Sequence, residues 1–569
     1  MNLNTEADKQ NTYDAIVIGS GISGGWAAKE LTEKGMKVLM LERGQNIEHI
    51  KDYTKATLAP WQLKHRNNLT EEQRKAHPVQ SRDYPYQEAN ETWWVNDIEC
   101  PYTEIKPFDW FRGYHVGGRS LMWGRQSYRF SDINFEDNLK DGHGVDWPVR
   151  YKEVAPWYDY AETFAGVNGQ AENWPTLPDG KFLPPMELNF IEKTVKQHVE
   201  EHYKRTRIIT IGRSANLTQD HNGRTQCQYR DRCSRGCPFG AYFSTQSATL
   251  PAAVKTGNLT LRPFSIVNHI IYDKDSKKAT GVFVIDAETN KTMEFYAKII
   301  FVNASTLGTA FILLNSTSPE FPNGLGNNES GRVGRNLMDH HFRCGARGES
   351  DDFQDKYVYG RRPNGVYVPR YQNIGGDKRD FLRGFGYQGG GGRGNMGGLE
   401  KVAEYAFGAD FKEAIGTPGK WSMSLGGFGE MLPNFDNRVY IDNSKKDKWG
   451  QPVLAVDCTY GDNEAKMRKA MMDDAAEMLE IAGLKNVSTF DAGCTPGMAI
   501  HEMGTACMGN DPKTSVLNKW NQLHEVKNVF VTDGSFMNST ACQNPSLTYM
   551  AFTARACDYA VNELKKQNI

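Results

Sequence analysis

The chain has 569 residues, too long for one simple domain, and its 67 Lys and Arg nearly balance 69 Asp and Glu, leaving a formal net charge of -2. That balance excludes nucleic acid or an anionic membrane surface as the main partner, and no apolar run approaches the length of a transmembrane helix. The residues before Asp14 are polar and carry no secretory pattern, and ten Cys in this length do not make a disulfide scaffold.

The stretch from Tyr13 to Gly44 predicts a strand over Asp14–Ile18, a tight turn, a helix to about Lys34 and a second strand over Lys37–Leu41. The turn, Gly19-Ser20-Gly21-Ile22-Ser23-Gly24, is a G-x-G-x-x-G sequence. Gly19 makes the turn, Gly21 admits a pyrophosphate against the backbone, and Gly24 lets helix pack on strand. The helix N-terminus offers N–H groups and positive dipole to phosphates. Glu42 closes the second strand, where it can accept hydrogen bonds from both hydroxyls of a ribose. Together these mark a dinucleotide site without separating NAD from FAD.

Residues 51–104 are polar and aromatic (Trp61, Tyr84, Tyr86, Trp93, Trp94) and read as a loop-rich insertion or lid. In HVGGRSLMWG at 115–124 the Gly117-Gly118 pair lets backbone approach a flat ring, which turns the reading toward a flavin. Tyr151–Phe164 has apolar residues at helical spacing and reads as core. In the loop 225–240, Cys227, Cys233 and Cys237 are spaced C-x5-C-x3-C. The spacing leaves three readings: an iron–sulfur cluster, a structural zinc with His221 as fourth ligand, or free buried cysteines.

Strands are expected over Leu259–Arg262, Ser265–Tyr272, Ala279–Val284, Met293–Tyr296 and Lys298–Asn303, with Ile299–Val302 a buried parallel strand and a helix from about Leu307. His340 and His341 follow Asp339; adjacent histidines on a strand point to opposite faces, which argues against a shared metal. Gly389–Gly392 is a candidate mobile loop. Glu430 and Asn434, beyond a strand over Ser422–Phe428, either face a sugar or are plain strand-end residues. Asp462–Ala482 is an amphipathic helix with Met467, Met471, Ala475, Met478 and Ala482 on one stripe, Asp462 as N-cap and Gly483 as stop.

His501-Glu-Met-Gly-Thr505 and Asn544-Pro545 are the candidate chemistry. A neutral His, whose ordinary pKa lies near working pH, suits the part of a general base. Asn544 cannot be a base; it can bond a substrate oxygen, or serve as N-cap of a helix with Pro545 at its first position.

With these residues in hand the chain resembles the glucose–methanol–choline (GMC) oxidoreductase family along nearly its whole length. The opening G-x-G-x-x-G unit, HVGGRSLMWG, VGRNLMDHH at 333–341, HEMGTACMG at 501–509, VTDGS at 531–535 and NPSLTYMA at 544–551 fall in the family's order. The resemblance implies an α/β fold: a Rossmann-like FAD-binding domain plus an α+β substrate domain with an antiparallel sheet. By that resemblance the FAD domain is discontinuous, over 1–50, 105–130, 206–320 and 490–569, with 51–104, 131–205 and 321–489 forming the substrate domain, lid and insertions. It implies FAD contacts at Gly19, Gly21, Ser23, Gly24, Glu42, Arg43, Gly117, Gly118, Ser120, Met122, Trp123, Val267, Asp533, Gly534, Asn544 and Pro545; Glu430, Asn434 and Gln543 are the candidate substrate contacts. Met122 stands where some relatives carry a flavin-linking His, so the flavin is expected to be non-covalent. His501 is the expected base. The cysteine loop looks like that of bacterial sugar dehydrogenase large subunits holding a [3Fe-4S] cluster, which makes Cys227, Cys233 and Cys237 its expected ligands. The implied activity is oxidation of a ring hydroxyl of a sugar or glycoside to a ketone, glucoside 3-dehydrogenase first. An oxygen-using sugar oxidase of the pyranose oxidase type, or a gluconate or fructose dehydrogenase subunit, is the alternative. The implied partners are a small subunit and a cytochrome c or quinone-linked acceptor. The implied location is the periplasm, by co-export with a signal-bearing subunit; the chain alone reads as cytoplasmic.

Overall fold

A computed structural model of the protein describes residues 2–3, 12–358, 360, 362–393, 407–416 and 418–569; the polar segment 4–11 lies outside the described residues. Residues 15–18 of strand Thr12–Ile18, strand Val38–Leu41 and residues 299–302 of strand Thr292–Val302 are buried runs of Val, Ile, Leu, Met, Ala and Phe, as strands covered on both faces require. They form the middle of an eight-stranded sheet ordered Asn2–Leu3, Leu259–Arg262, Val38–Leu41, Thr12–Ile18, Thr292–Val302, Lys278–Asp286, Ser265–Asp273, with Val529–Val531 also pairing with Thr292–Val302. Val38–Leu41, Thr12–Ile18, Thr292–Val302 and Val529–Val531 pair in parallel, and Ser265–Asp273 and Lys278–Asp286 add antiparallel strands. The two strands expected over 293–296 and 298–303 are one. Ala297 does not break it, because it keeps register with Tyr13 while Tyr296 pairs with Gly281.

Helix Ile22–Glu33 lies against this sheet and is buried nearly all round. Even Lys29 is buried, satisfied by Glu30, Glu33 and the Tyr160 hydroxyl. Helix Ser546–Lys565 packs beside it, joining the two ends of the chain.

The second layer is a six-stranded antiparallel sheet ordered Lys485–Asp491, Cys344–Ser350, Trp421–Gly429, Phe385–Arg393, Val366–Val368, Thr210–Ile211. Helix Asp462–Ile481 presses the buried Met467, Met471, Ala475 and Met478 onto it. Its N-cap is Gly461 rather than Asp462: Glu464, reaching back, accepts the Gly461 N–H at 2.7 Å. The fold is thus mixed α/β, a Rossmann-like domain with an antiparallel-sheet second domain.

Gly389–Gly392 is not a mobile loop. It lies inside strand Phe385–Arg393, paired residue by residue with Trp421–Gly429. The glycines are there for close approach: a Cβ on Gly389 would sit 2.0 Å from the Ser424 carbonyl oxygen, and one on Gly391 2.2 Å from Ile191 Cγ2. At Gly392 a Cβ meets nothing within 4 Å. Gly389→Ala is therefore expected to lower stability by about 1–3 kcal/mol, whereas Gly392→Ala changes it by under about 1 kcal/mol. Chemical-denaturation midpoints of the two variants check the order.

Candidate active site

The carboxyl ends of the parallel strands open into one elongated cavity, where a doubly wound sheet binds its ligand. At one end lies the glycine turn. A Cβ on Gly19 (φ 91°) would meet the Asn303 oxygen at 2.3 Å, and one on Gly24 would meet the Gly19 oxygen at 1.9 Å. A Cβ on Gly21 would meet nothing within 4 Å and would occupy the cavity itself. Gly19 and Gly24 thus shape the turn, and Gly21 leaves room for phosphate at the N-terminus of Ile22–Glu33. Ser23 lines the same wall.

Ser20 binds this turn to its neighbours. Its hydroxyl donates to Glu42 Oε2 at 2.5 Å and accepts the Gly117 N–H at 2.8 Å. Glu42 also accepts from the backbone N–H groups of Ser20 and Gly44, at 3.1 and 2.9 Å. Burial raises the Glu42 pKa, and the Ser20 and Gly44 bonds pull it back. Arg43 lies over the Tyr114 and Trp449 rings and pairs with Asp447 at 3.0 Å, closing this end of the cavity. Val267 lines the cavity from the strand Ser265–Asp273. Gly117 (φ 89°) and Gly118 (φ 48°) bring the next segment to within 3.5 Å of Gly21, measured from a Cβ built on Gly118. Ser120, Met122 and Trp123 then line the cavity; Trp123 donates its indole N–H to the Phe243 oxygen at 2.9 Å.

At the other end stand His501 and Asn544, with Asn544 Nδ2 3.3 Å from His501 Nε2. Asp533 and Gly534 line the wall between; Asp533 caps the turn through the Ser535 N–H at 3.0 Å. The helix expected to start at Asn544 begins at Ser546, with Pro545 before it, and Asn544 makes no cap. Its side chain is engaged elsewhere: Oδ1 accepts from Gln388 Nε2 at 2.6 Å. Pro545 and Ser546 line the cavity, so the helix N-terminus still faces it.

His501 is held in an unusual backbone. Ile500 has φ 59°, a left-handed conformation that costs a β-branched residue about 1–3 kcal/mol. Asp339 holds it by accepting the N–H groups on both sides, Ala499 and His501, each at 3.0 Å. Burial lifts the Asp339 carboxyl to about 8. The His501 imidazole is pushed well below its ordinary value by burial, then by His340 and by the Arg119 guanidinium. It is neutral, with no proton to lose before it can take one. Arg119 is itself anchored to Glu502 at 2.7 and 3.2 Å. Asp83, from segment 51–104, adds a buried carboxyl at the cavity, lifted to about 8 by its burial.

Sequence reading missed His340, Gln388, Arg119 and Asp339 as site residues. His340 Nδ1 lies 2.8 Å from His501 Nδ1, while its neighbour His341 packs against the Tyr460 ring. That adjacent histidines face different ways was the available signal; it had been used only to discount a metal.

Three expected substrate residues do not reach the cavity. Glu430 is sealed in an ion pair with Arg383 at 2.8 Å, with Arg370 at 3.8 Å, because a buried carboxylate needs that charge. Asn434 is exposed in a turn, its side chain accepting the Asp436 N–H at 2.9 Å. Gln543 is fully buried and spends its amide on Asn134, Thr176 and the Cys542 N–H.

Cys227, Cys233 and Cys237 are free thiols lining a second, small cavity with Arg230, Arg232 and Tyr242. Burial pushes Cys227 up to about 11. Three soft sulfurs facing one space are the donor set of a cluster, but they are not drawn together: among the described residues no group of three or more His, Cys, Asp or Glu is arranged to hold a metal ion. His221, the candidate fourth ligand, does not line this cavity, and its Nε2 bonds the Thr163 oxygen at 2.7 Å. The loop is tied to the 51–104 segment, as where Asn90 Nδ2 donates to the Ser234 oxygen at 2.9 Å.

GMC oxidoreductase family models match residues 13–342 and 433–553. The chain is 29% identical to 2-methyl-1,2-propanediol dehydrogenase of Mycolicibacterium austroafricanum, over 98% of this chain and 96% of that protein. It is 26% identical to the fructose dehydrogenase large subunit of Gluconobacter japonicus, over 97% and 98%. Its fold matches the crystal structure of a pyridoxine 4-oxidase from Mesorbium loti with a TM-score of 0.60 at 15% identity, over 96% of this chain and 99% of that one. The chain is a member of the GMC oxidoreductase family.

Proposed function

We propose that this protein is an FAD-dependent dehydrogenase that oxidises a ring hydroxyl of a sugar or glycoside to a ketone, with glucoside 3-dehydrogenation the preferred case. The observation that carries the reading is the pairing of a neutral acceptor and an amide donor, His501 Nε2 and Asn544 Nδ2, 3.3 Å apart on the cavity wall. Bound FAD supplies the acceptor for the hydride that leaves the carbinol carbon. A substrate hydroxyl that displaces the Asn544–His501 hydrogen bond donates its hydrogen to His501 Nε2 and accepts from Asn544 Nδ2. His501 takes the proton as the carbonyl forms. Burial, with smaller contributions from His340 and Arg119, keeps the imidazole neutral and ready. Similarity to dehydrogenases named for a sugar and for a diol supports a hydroxyl substrate.

His501→Ala is expected to keep its flavin and to lower the rate of anaerobic flavin reduction by a sugar by about 10²–10⁴-fold. Unchanged reduction would remove His501 as the base. A panel of sugars with an artificial electron acceptor, with the product position read by NMR, identifies the hydroxyl. Stoichiometric hydrogen peroxide from a sugar and oxygen at full rate would instead favour an oxidase.

The reading extends to the cysteine loop. The C-x5-C-x3-C spacing of three free thiols around one cavity is what favours an iron–sulfur cluster there, although the thiols are not drawn together in this structure; a small subunit and a cytochrome or quinone-linked acceptor in the periplasm are the partners this reading names. Protein purified without oxygen is expected to contain iron and acid-labile sulfide, lost together in Cys233→Ser with flavin retained. Iron at background in the unsubstituted protein would end this part of the proposal.

A further inference from the structure

His340 is completely buried and does not line the cavity, yet it touches the proposed base. Its Nε2 lies 2.8 Å from the Ala541 oxygen and 3.3 Å from the Thr540 oxygen. Backbone carbonyls only accept, so this nitrogen must carry the hydrogen. Burial holds His340 at about 4, so the ring is neutral and its Nδ1 is a bare lone pair. That lone pair faces His501 Nδ1 at 2.8 Å, which must then be the donor. With His501 also neutral, its Nε2 is left unprotonated and turned toward Asn544.

We infer that His340 is a positioning residue that fixes His501 in the Nδ1-protonated tautomer, leaving Nε2 unprotonated and able to take the substrate's proton once a substrate hydroxyl displaces the Asn544 N–H from it; this rests on the reading of His501 as the base. The same logic runs on through the amides. An unprotonated His501 Nε2 requires the NH₂ of Asn544 to face it, which leaves Asn544 Oδ1 toward Gln388 Nε2 at 2.6 Å. Gln388, Asn544, His501, His340 and the Ala541 carbonyl thus form one chain of hydrogen bonds pointing the same way, its direction set at the carbonyl end. The opposite tautomer of His340 would aim a lone pair at two carbonyl oxygens in a dry site, leaving acceptors unpaired. The Phe428 ring, 6.4 Å from His340 and 6.3 Å from His501 by centroids, packs beside both and keeps them in place.

The test uses the flavin-loaded protein and three variants. His340→Leu removes the acceptor, His340→Asn keeps an oxygen acceptor near the Nδ1 position, and His501→Ala assigns the His501 signals. In long-range nitrogen–proton spectra of protein labelled with nitrogen-15 in its histidine rings, His501 is expected to show the Nδ1-protonated pattern. His340→Leu is expected to lose that pattern and His340→Asn to retain it. For flavin reduction by the most active sugar of the panel, His340→Leu is expected to lower the limiting rate on the order of 100-fold, with the half-saturating sugar concentration within about threefold. His340→Asn is expected to recover most of the rate. An Nε2-protonated His501 in the unsubstituted protein, or an unchanged pattern in His340→Leu, overturns the inference. The spectra need no substrate, so they stand apart from the base assignment: full turnover in His501→Ala would remove the base and leave the tautomer result untouched.

Discussion

The parallel pairing of Thr292–Val302 with Thr12–Ile18 on one side and Val529–Val531 on the other is the constraint on which the site depends. Ile18, Val302 and Val531 end at the same edge, so Gly19, Asn303 and Asp533 emerge together although they are hundreds of residues apart in the chain. FAD laid along that edge would have the glycine turn for its phosphates and the His501 end for its ring. Ser20 then locks the second glycine segment to the first, through Glu42 and Gly117, so the turn and the flavin wall are set by one hydroxyl.

The ring end is governed by burial rather than by charge pairing. His340, His341 and His501 are all held neutral by their surroundings, and burial lifts the Asp339 carboxyl to about 8. Such a site offers lone pairs and N–H groups at fixed positions in place of mobile ions, which is how electrostatic preorganisation serves a proton transfer. The strained Ile500 fits this picture: the Asp339 carboxyl holds the N–H groups on either side and fixes where His501 points.

Much of this was legible in the sequence wherever the cause was local. The glycine turn, the Met-striped helix and the alternation of the Trp421–Gly429 strand arise from sterics and periodicity over a few residues, and they can be read from a few residues. The misreadings share a different cause. Glu430 faces Arg383 and Arg370, Gln543 faces Asn134, and Asn544, expected to cap a helix, turns its side-chain oxygen to Gln388, all partners supplied by distant segments. A polar residue at a strand end looks the same whether it meets a ligand or a buried arginine. The glycine run at 389–392 misled for the same reason: its small size answers the approach of Ser424 and Ile191, not a need for freedom. His340 was hidden because its role exists only through its contact with His501, 161 positions later.

The central claim is that a substrate hydroxyl is gripped between His501 and Asn544. A crystal structure of the flavin-loaded protein with a slow or non-reacting sugar analogue tests it most directly. The account predicts one ring-hydroxyl oxygen within about 3 Å of both His501 Nε2 and Asn544 Nδ2. A sugar bound in the cavity with every hydroxyl beyond hydrogen-bond reach of His501 would contradict it.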